Sequence, residues 1–523
     1  MRATSTEAHG ASMEDSEMTI PGRAWATEAA MGHCVFGERQ EPLPPIGYDG
    51  RRYAQELVDL LCWGTERGIN GVFVSHGDRG GFADPGGMAL EAEALRLRLP
   101  FSVGGHVGHG FPHFLPPALF GSRPELFRQG SDGQRTPTGN PCTADPESLG
   151  RAVGELTKLL DRHPRARLLQ VWPEDVLGGS WCHCDRCRER SPVQQYADLT
   201  AAIAGGIDAR GPGVEIGFLL YHDTLTGLPS DPAPTGGRPF VPPNVYALYA
   251  PRERCYAHAL DDATCPRNRR YWQDALRARN VFGGRLDVFE YYGDTILWHY
   301  LNAAIPHVIA ADLRAYRHLG VREIQALTFG AYSHWAHGLN LATFAWLASG
   351  AERDADAAVA RYAREQFGAT FDDAMMTYYL KLEEASRLYL GFCGYADEWM
   401  DDLRGFTKPS PAYPEHRQRV AASAELLAHL SVELGRLMTQ GMADDVRANM
   451  QAEHAHLEIT RIELQLLAVR LAVAERAHAG ASPGLTDAEK AQRHAARVTQ
   501  WQIAQSVPAA VHGQAFWALA AQT

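Results

Sequence analysis

Long apolar runs are absent from the sequence: no uninterrupted apolar segment in its 523 residues approaches the roughly 18 residues that span a bilayer. No membrane partner is expected. Basic excess is absent too. A formal net charge of −12, with no long run of Lys and Arg, argues against a nucleic-acid partner. The opening "MRATSTEAHGASMEDSEMTIPGRAW" is polar and acidic and lacks the apolar core of a signal peptide. Residues 1–25 are therefore expected as a disordered tail, and the protein as cytoplasmic. No repeat of fixed period is visible, which excludes a solenoid. Cysteine is scarce, nine in the whole chain, so its clustering carries more information than its number.

What is present is alternation. Between about 30 and 345, short apolar runs alternate with amphipathic helical patterns, the signature of parallel strands joined by helical crossovers. The strand candidates are "HCVFGE" (33–38), "GVFVSH" (71–76), "FSVGGH" (101–106), "LLQVWPE" (168–174), "EIGFLLYH" (215–222), "VYALYA" (245–250), "LDVFEYY" (286–292) and "EIQALTF" (323–329). Helical segments are expected at 53–67, 146–162, 194–209 and 306–319. Eight strands over about 300 residues is the size of a (β/α)8 TIM-type barrel, expected over 26–350. Beyond 350, leucine and isoleucine stripes at helical spacing take over, such as Leu426, Leu430, Leu434 and Leu437. They predict an α-helical C-terminal domain over 351–523, a surface through which the chain could oligomerise.

A barrel of this kind carries its active site at the C-terminal ends of its strands. Read at those ends alone, the sequence gives His76 and Asp78, His106 and His109, Glu174 and Asp175, 221–223, 252–258, 290–294 and 332–335. Carboxylates, His, Arg, Tyr and Trp recur there, and that mixture suits a sugar ring: carboxylates for acid–base work, aromatic faces for stacking, the rest for hydroxyls. Glu174 and Asp175 are the leading catalytic pair, because adjacent carboxylates raise one another's proton affinity. The competing reading is a helix N-cap, against which Gly178 and Gly179 speak. Glu290 is a second catalytic candidate, or the partner of a salt bridge to Arg252 or Arg254. His106, Tyr221, Arg252, Tyr256, His258, Tyr292 and Trp335 are expected to bind substrate. His106, His109 and His113 read as hydrogen-bonding residues rather than a metal triad.

Cys182, Cys184 and Cys187, in C-x-C-x2-C spacing around His183, have the density of a metal knuckle. A closed zinc site takes four ligands, so Cys255 or Cys265 would have to complete it; plain packing or a disulfide is the alternative. A structural role is expected, not a catalytic thiol.

The succession "GGHVGHGF", "RPELFRQGSDGQRTPTGNPCTADPE", "VWPEDVLGGSWCHCDRC", "IGFLLYHD", "APRERCYAHAL…CPRN" and "FEYYGD" resembles the catalytic domain of glycoside hydrolase family 163, first catalogued as a domain of unknown function. The resemblance spans about residues 70–345. It implies a (β/α)8 hydrolase distantly similar to family 20 hexosaminidases and family 67 α-glucuronidases, acting on an N-acetylglucosaminide-type bond without a cofactor. In family 20 an Asp-Glu pair after the fourth strand divides the work, Asp orienting the substrate's acetamido group and Glu serving as acid/base. Here the order is reversed, Glu174 then Asp175. An α-glucuronidase-like exo-hydrolase with Arg252 or Arg254 on a uronate, a non-catalytic carbohydrate-binding barrel, and a zinc-dependent enzyme on the cysteine cluster are the rival readings.

Overall fold

The computed structural model describes residues 19–28, 50–75, 85–106, 114–175, 180–209, 213–230, 239–298, 301–328, 330–390, 412–480 and 484–508. Eight parallel strands close into a barrel in sequential order: β1 (Gly22–Glu28), β2 (Gly71–Ser75), β3 (Phe101–His106), β4 (Leu168–Trp172), β5 (Glu215–Leu220), β6 (Val245–Tyr249), β7 (Leu286–Glu290) and β8 (Glu323–Thr328). Around them run α1 (Gly50–Thr65), α2 (Pro85–Arg96), α3 (Pro146–Arg162), α4 (Pro192–Asp208), α5 (Pro266–Val281), α6 (Pro306–His318) and α7 (Gly330–Ser349). Five further helices follow: α8 (Ala355–Phe367), α9 (Asp372–Leu390), α10 (Tyr413–Met438), α11 (Asp444–His478) and α12 (Asp487–Gln505). Among the described residues no helix is long and apolar enough to cross a membrane.

Seven of the expected strands are present, each a residue or two shorter than its apolar run where it differs. The first is elsewhere. The stretch 33–38 lies outside the described residues, and the first barrel position is filled by "GRAWATE", part of which was expected as tail. This strand pairs with β2 (Ala24↔Gly71) and β8 (Gly22↔Glu323), which closes the ring. Its small and polar residues have little strand propensity of their own; two ready-made neighbouring edges supply the preference that its composition lacks. Residues 1–18 lie outside the described residues.

Helix entry follows local chemistry. Asp145 caps α3 by accepting from the backbone of Glu147 and Ser148, with Pro146 at the first helical position. Ser191 and Gln194 form a reciprocal capping box at α4, again with proline first.

Two glycines set the barrel interior. A Cβ on Gly217 would stand 1.9 Å from Gln170 Oε1, and one on Gly104 would stand 2.0 Å from the Gln170 carbonyl oxygen. The room these glycines leave is taken by Gln170, fully buried in the barrel centre, whose Oε1 accepts from Trp172 Nε1 at 3.2 Å. Below, at the N-terminal strand ends, Arg322 binds Asp287 and Glu215 at 2.6 and 2.7 Å, and Arg167 bridges Glu215 and Glu323 at 2.7 and 2.5 Å. That end is a stability face. The opposite end carries the candidate site residues.

Candidate active site

Trp172, the last residue of β4, forms the floor of the barrel mouth. Its ring packs against Phe73 at 5.0 Å, Phe289 at 5.2 Å and His106 at 5.0 Å between centroids. An apolar floor of this size excludes water below.

Asp175 stands three residues beyond that floor. Its side chain is 52% exposed, and its Oδ2 lies 3.9 Å from His106 Nε2. The other ring nitrogen of His106 is 2.6 Å from the carbonyl of Pro173, which fixes the imidazole's orientation. Glu174 is only 6% exposed. Its backbone N–H donates to Asn140 Oδ1 at 3.1 Å, and a Cβ on Gly139 would come within 2.8 Å of its Oε2. Gly139 has φ +98°, so its lack of a side chain is used twice, for the backbone and for the carboxylate. Within the described residues the next helix after β4 begins at Pro192.

Across the mouth, the ends of β5, β6 and β7 supply the rest. Tyr221 and His222 stack with ring centroids 3.7 Å apart, and His222 has the strained φ of +49°. Strain of this kind collects at functional sites. His222 Nδ1 lies 3.9 Å from Glu253 Oε1. Glu253 is buried and accepts a hydrogen bond from Tyr271 at 3.4 Å. Burial raises its proton affinity above the usual carboxylate range, opposed by the Arg252 charge. Arg252 donates from Nε to Asp294 at 3.0 Å and lies 5.6 Å from the Tyr291 ring centroid. Asp294 also accepts from Leu297 N at 3.0 Å, fixing a single helical turn, Thr295–Trp298, beside the mouth. Asp175 and Glu253 both act electrostatically on Tyr221 and on Tyr291, so the two acids share one aromatic neighbourhood.

Burial depresses the His222 pKa to about 4. The unfolded chain takes a proton on this imidazole as pH falls below about 6.5, whereas the folded protein resists until about 4, so stability is lost progressively across that window. Urea unfolding should show the loss in the wild type and a shallower one in His222→Gln; the half-buried His334, also near 4, and the buried His337, lowered further by burial, retain the remainder. Parallel pH curves for the two proteins would refute this account.

Several expected site residues lie elsewhere. Glu290 is fully buried behind the barrel wall, 3.3 Å from Arg254 and hydrogen-bonded by Tyr256 at 3.3 Å and by Tyr316 of α6. Arg254 also binds Asp312, which accepts from Tyr292 at 3.2 Å. Glu290, Tyr256 and Tyr292 therefore share an internal network, and the salt bridge is the arrangement observed. Trp335 donates to the Ala452 carbonyl at 2.9 Å and stacks on His456, both of α11. His258 is exposed, with Nδ1 3.2 Å from Cys255 Sγ, in a group with Cys265. His76, Asp78, His109 and His113 lie outside the described residues. Of the expected set, His106, Asp175, Tyr221 and Arg252 meet at the mouth, with Glu174 immediately behind. Glu253, His222, Tyr291 and Trp172 join them without having been singled out; their position at a strand end or one to four residues past it was the available signal.

The cysteine knuckle sits beside this site. Cys182, Cys184 and Cys187 are buried, and the fourth member of their group is Cys142, not Cys255 or Cys265. Cys142 lies 42 residues before Cys184 in sequence, in the loop after β3, a separation that spacing within one motif cannot reveal.

A closed eight-stranded barrel with helical crossovers, its ionisable and aromatic residues gathered at the C-terminal strand ends, makes this a (β/α)8 protein with an enzyme-like mouth. The chain belongs to the family described as domain of unknown function DUF4838, whose model matches residues 93–380. Among solved structures it is similar to one described as "Structure of CpGH84B", at 10% identity and a TM-score of 0.42, covering 93% of this chain and 74% of that one. No curated protein matches.

Proposed function

We propose that the protein is a glycoside hydrolase. The observation that carries this reading is that two carboxyl groups of different exposure, Asp175 and Glu253, act on the same pair of tyrosines beside His106 and Trp172 at the barrel mouth. Glycosidic cleavage needs a proton on the leaving oxygen and a negative charge facing the oxocarbenium-like centre. Asp175, at the exposed lip, donates the proton as the leaving group departs toward solvent. Glu253 is the second carboxyl group: the neighbouring Arg252 charge favours its ionised form against burial, and an ionised carboxyl screened from water gains most from a developing positive charge. Trp172, Tyr221 and Tyr291 offer ring-stacking faces, and His106 and His222 offer hydrogen bonds to hydroxyls. Glu174 is a positioning residue that fixes the end of β4 through Asn140. The motifs that resemble family 163 support an N-acetylglucosaminide-type substrate, with the 2-acetamido group available to assist.

One observation favours a second substrate class. The buried Arg252 guanidinium beside Tyr291 would suit the carboxylate of a uronate. Arg254 is committed to Glu290 and Asp312 and is no candidate for that role. A screen of aryl glycosides on the purified full chain tests both: release from the N-acetylglucosaminide supports the first reading, release from the glucuronide the second. No hydrolysis of any member of the panel would leave a carbohydrate-binding barrel as the reading.

A further inference from the structure

The four sulfurs of Cys142, Cys182, Cys184 and Cys187 all lie within 4.8 Å of one another, with Cys142 Sγ 3.8 Å from both Cys184 and Cys187. Zinc–thiolate bonds of about 2.3 Å in a tetrahedron set sulfurs about 3.8 Å apart. A disulfide needs about 2.05 Å, and all four cysteines are free. Hydrophobic packing does not account for the group either. The cysteines form a cluster of their own, apart from the main core, with Ala144 alone packed partly against it.

The surroundings are those of a thiolate site. Amide N–H groups point at sulfur: Gln129 N lies 3.5 Å from Cys182 Sγ, Cys184 N also donates to Cys182, and Ala144 N donates to Cys187. The Arg186 guanidinium acts electrostatically on Cys142 and Cys184. Gln195 braces the knuckle from α4, accepting from Cys182 N at 3.2 Å and donating to the carbonyls of Cys182, Cys187 and Arg190 at 3.1, 3.4 and 3.3 Å. Such outer partners orient thiolates and offset their charge.

We infer that Cys142, Cys182, Cys184 and Cys187 form a closed structural site for one zinc ion, which staples the loop after β3 to the loop after β4. Binding displaces the thiol protons, and the resulting ZnS4 unit carries a formal charge of −2 that the amide donors and Arg186 balance. All four positions are protein ligands, so no coordination site remains for water or substrate. The staple acts on the mouth through two residues of chain. Asn140, two positions before Cys142, accepts from Glu174 N, while its own N–H donates to Ser180 O at 3.3 Å, two positions before Cys182. His183 N donates to Gln129 O at 2.8 Å and completes the tie. Zinc thus fixes the frame in which Glu174 and Asp175 sit, whatever bond the mouth cleaves.

The test is metal analysis of the full chain purified without chelators, read together with mercurial titration of its thiols. One zinc per chain is expected, released in step with modification of four thiols, and cobalt in its place should give the intense visible absorption of a tetrahedral thiolate complex. Cys142→Ser should lose the stoichiometric zinc. Should that variant fail to fold, the wild-type stoichiometry and thiol titration still decide. Protein that is folded but binds no zinc when it is supplied would overturn the assignment. So would iron in the site, a disulfide among the four, or a Cys142→Ser variant that keeps its zinc. None of these readouts uses hydrolysis, so failure here is distinguishable from failure of the glycosidase reading.

Discussion

Asp175→Asn should lower kcat by about 10²–10⁴-fold on a glycoside with a poor leaving group, the range that general acid–base catalysis supplies. The substitution is nearly isosteric and the side chain is 52% exposed, so the unfolding free energy should stay within about 0.5 kcal/mol of wild type. A proton donor matters least when the leaving group needs no proton. An aryl glycoside of low leaving-group pKa should therefore recover most of the loss in Asp175→Asn. Glu253→Gln removes the second carboxylate's charge and should fall on every substrate alike. Glu174→Gln should act differently from both. Its carboxyl packs behind the mouth against Gly139, so a positioning role predicts a modest fall in kcat, similar across leaving groups, with a measurable loss of stability. If Asp175→Asn retains near-wild-type turnover on poor leaving groups, Asp175 is not the donor; leaving-group rescue of Glu253→Gln would then assign that role to Glu253.

Arg254→Met should be the most destabilising single substitution in the barrel wall. Arg254, Glu290 and Asp312 are all fully buried, and the guanidinium is the cation between two carboxyl groups. Removing one partner of a buried ionic group leaves uncompensated charge, a loss of about 3–5 kcal/mol. The pH dependence has a definite sign. Burial already pushes Asp312 up to about 7. Without Arg254, Asp312 loses its cation and will favour protonation further, so the destabilisation should be largest at alkaline pH and shrink as pH falls and Asp312 becomes neutral. Urea midpoints across that range measure it. Glu290→Gln should cost less, because an amide oxygen in the Oε1 position still serves Tyr316 and Arg254, and only the contacts to Oε2, from Tyr256 and the Tyr291 N–H, lose their acceptor. Its turnover per folded molecule should stay near wild type. A Glu290→Gln protein with wild-type stability and no turnover would place Glu290 in the chemistry instead of in the wall.

Much of this protein is legible along the chain. Parallel strands buried on both faces read as short apolar runs, so seven of eight appear directly, and proline with Asp or Ser marks the helix starts at Pro146 and Pro192. Period-two alternation even carries the sidedness of β7. Asp287 and Phe289 turn inward to Arg322 and Trp172, which leaves Glu290 facing the helices. Reading the strand end without that alternation counts Glu290 among the mouth residues. β1 is hidden for the opposite reason: its preference for extended structure comes from the two edges it joins, not from its own residues.

What the sequence determined by itself is the barrel, the end of it that bears chemistry, and a cysteine knuckle next to paired carboxylates. Local pattern suffices for these, since strand periodicity, capping and ligand spacing act over a few residues. Tertiary structure decided that Glu290 is buried in the wall, that Glu253 and Asp175 share one aromatic neighbourhood, and that Cys142 is the knuckle's fourth sulfur. Those relations join chain segments tens of residues apart. Closure of the barrel alone brings them within a few ångströms, and interactions between side chains fall off too steeply with distance for sequence separation to report them.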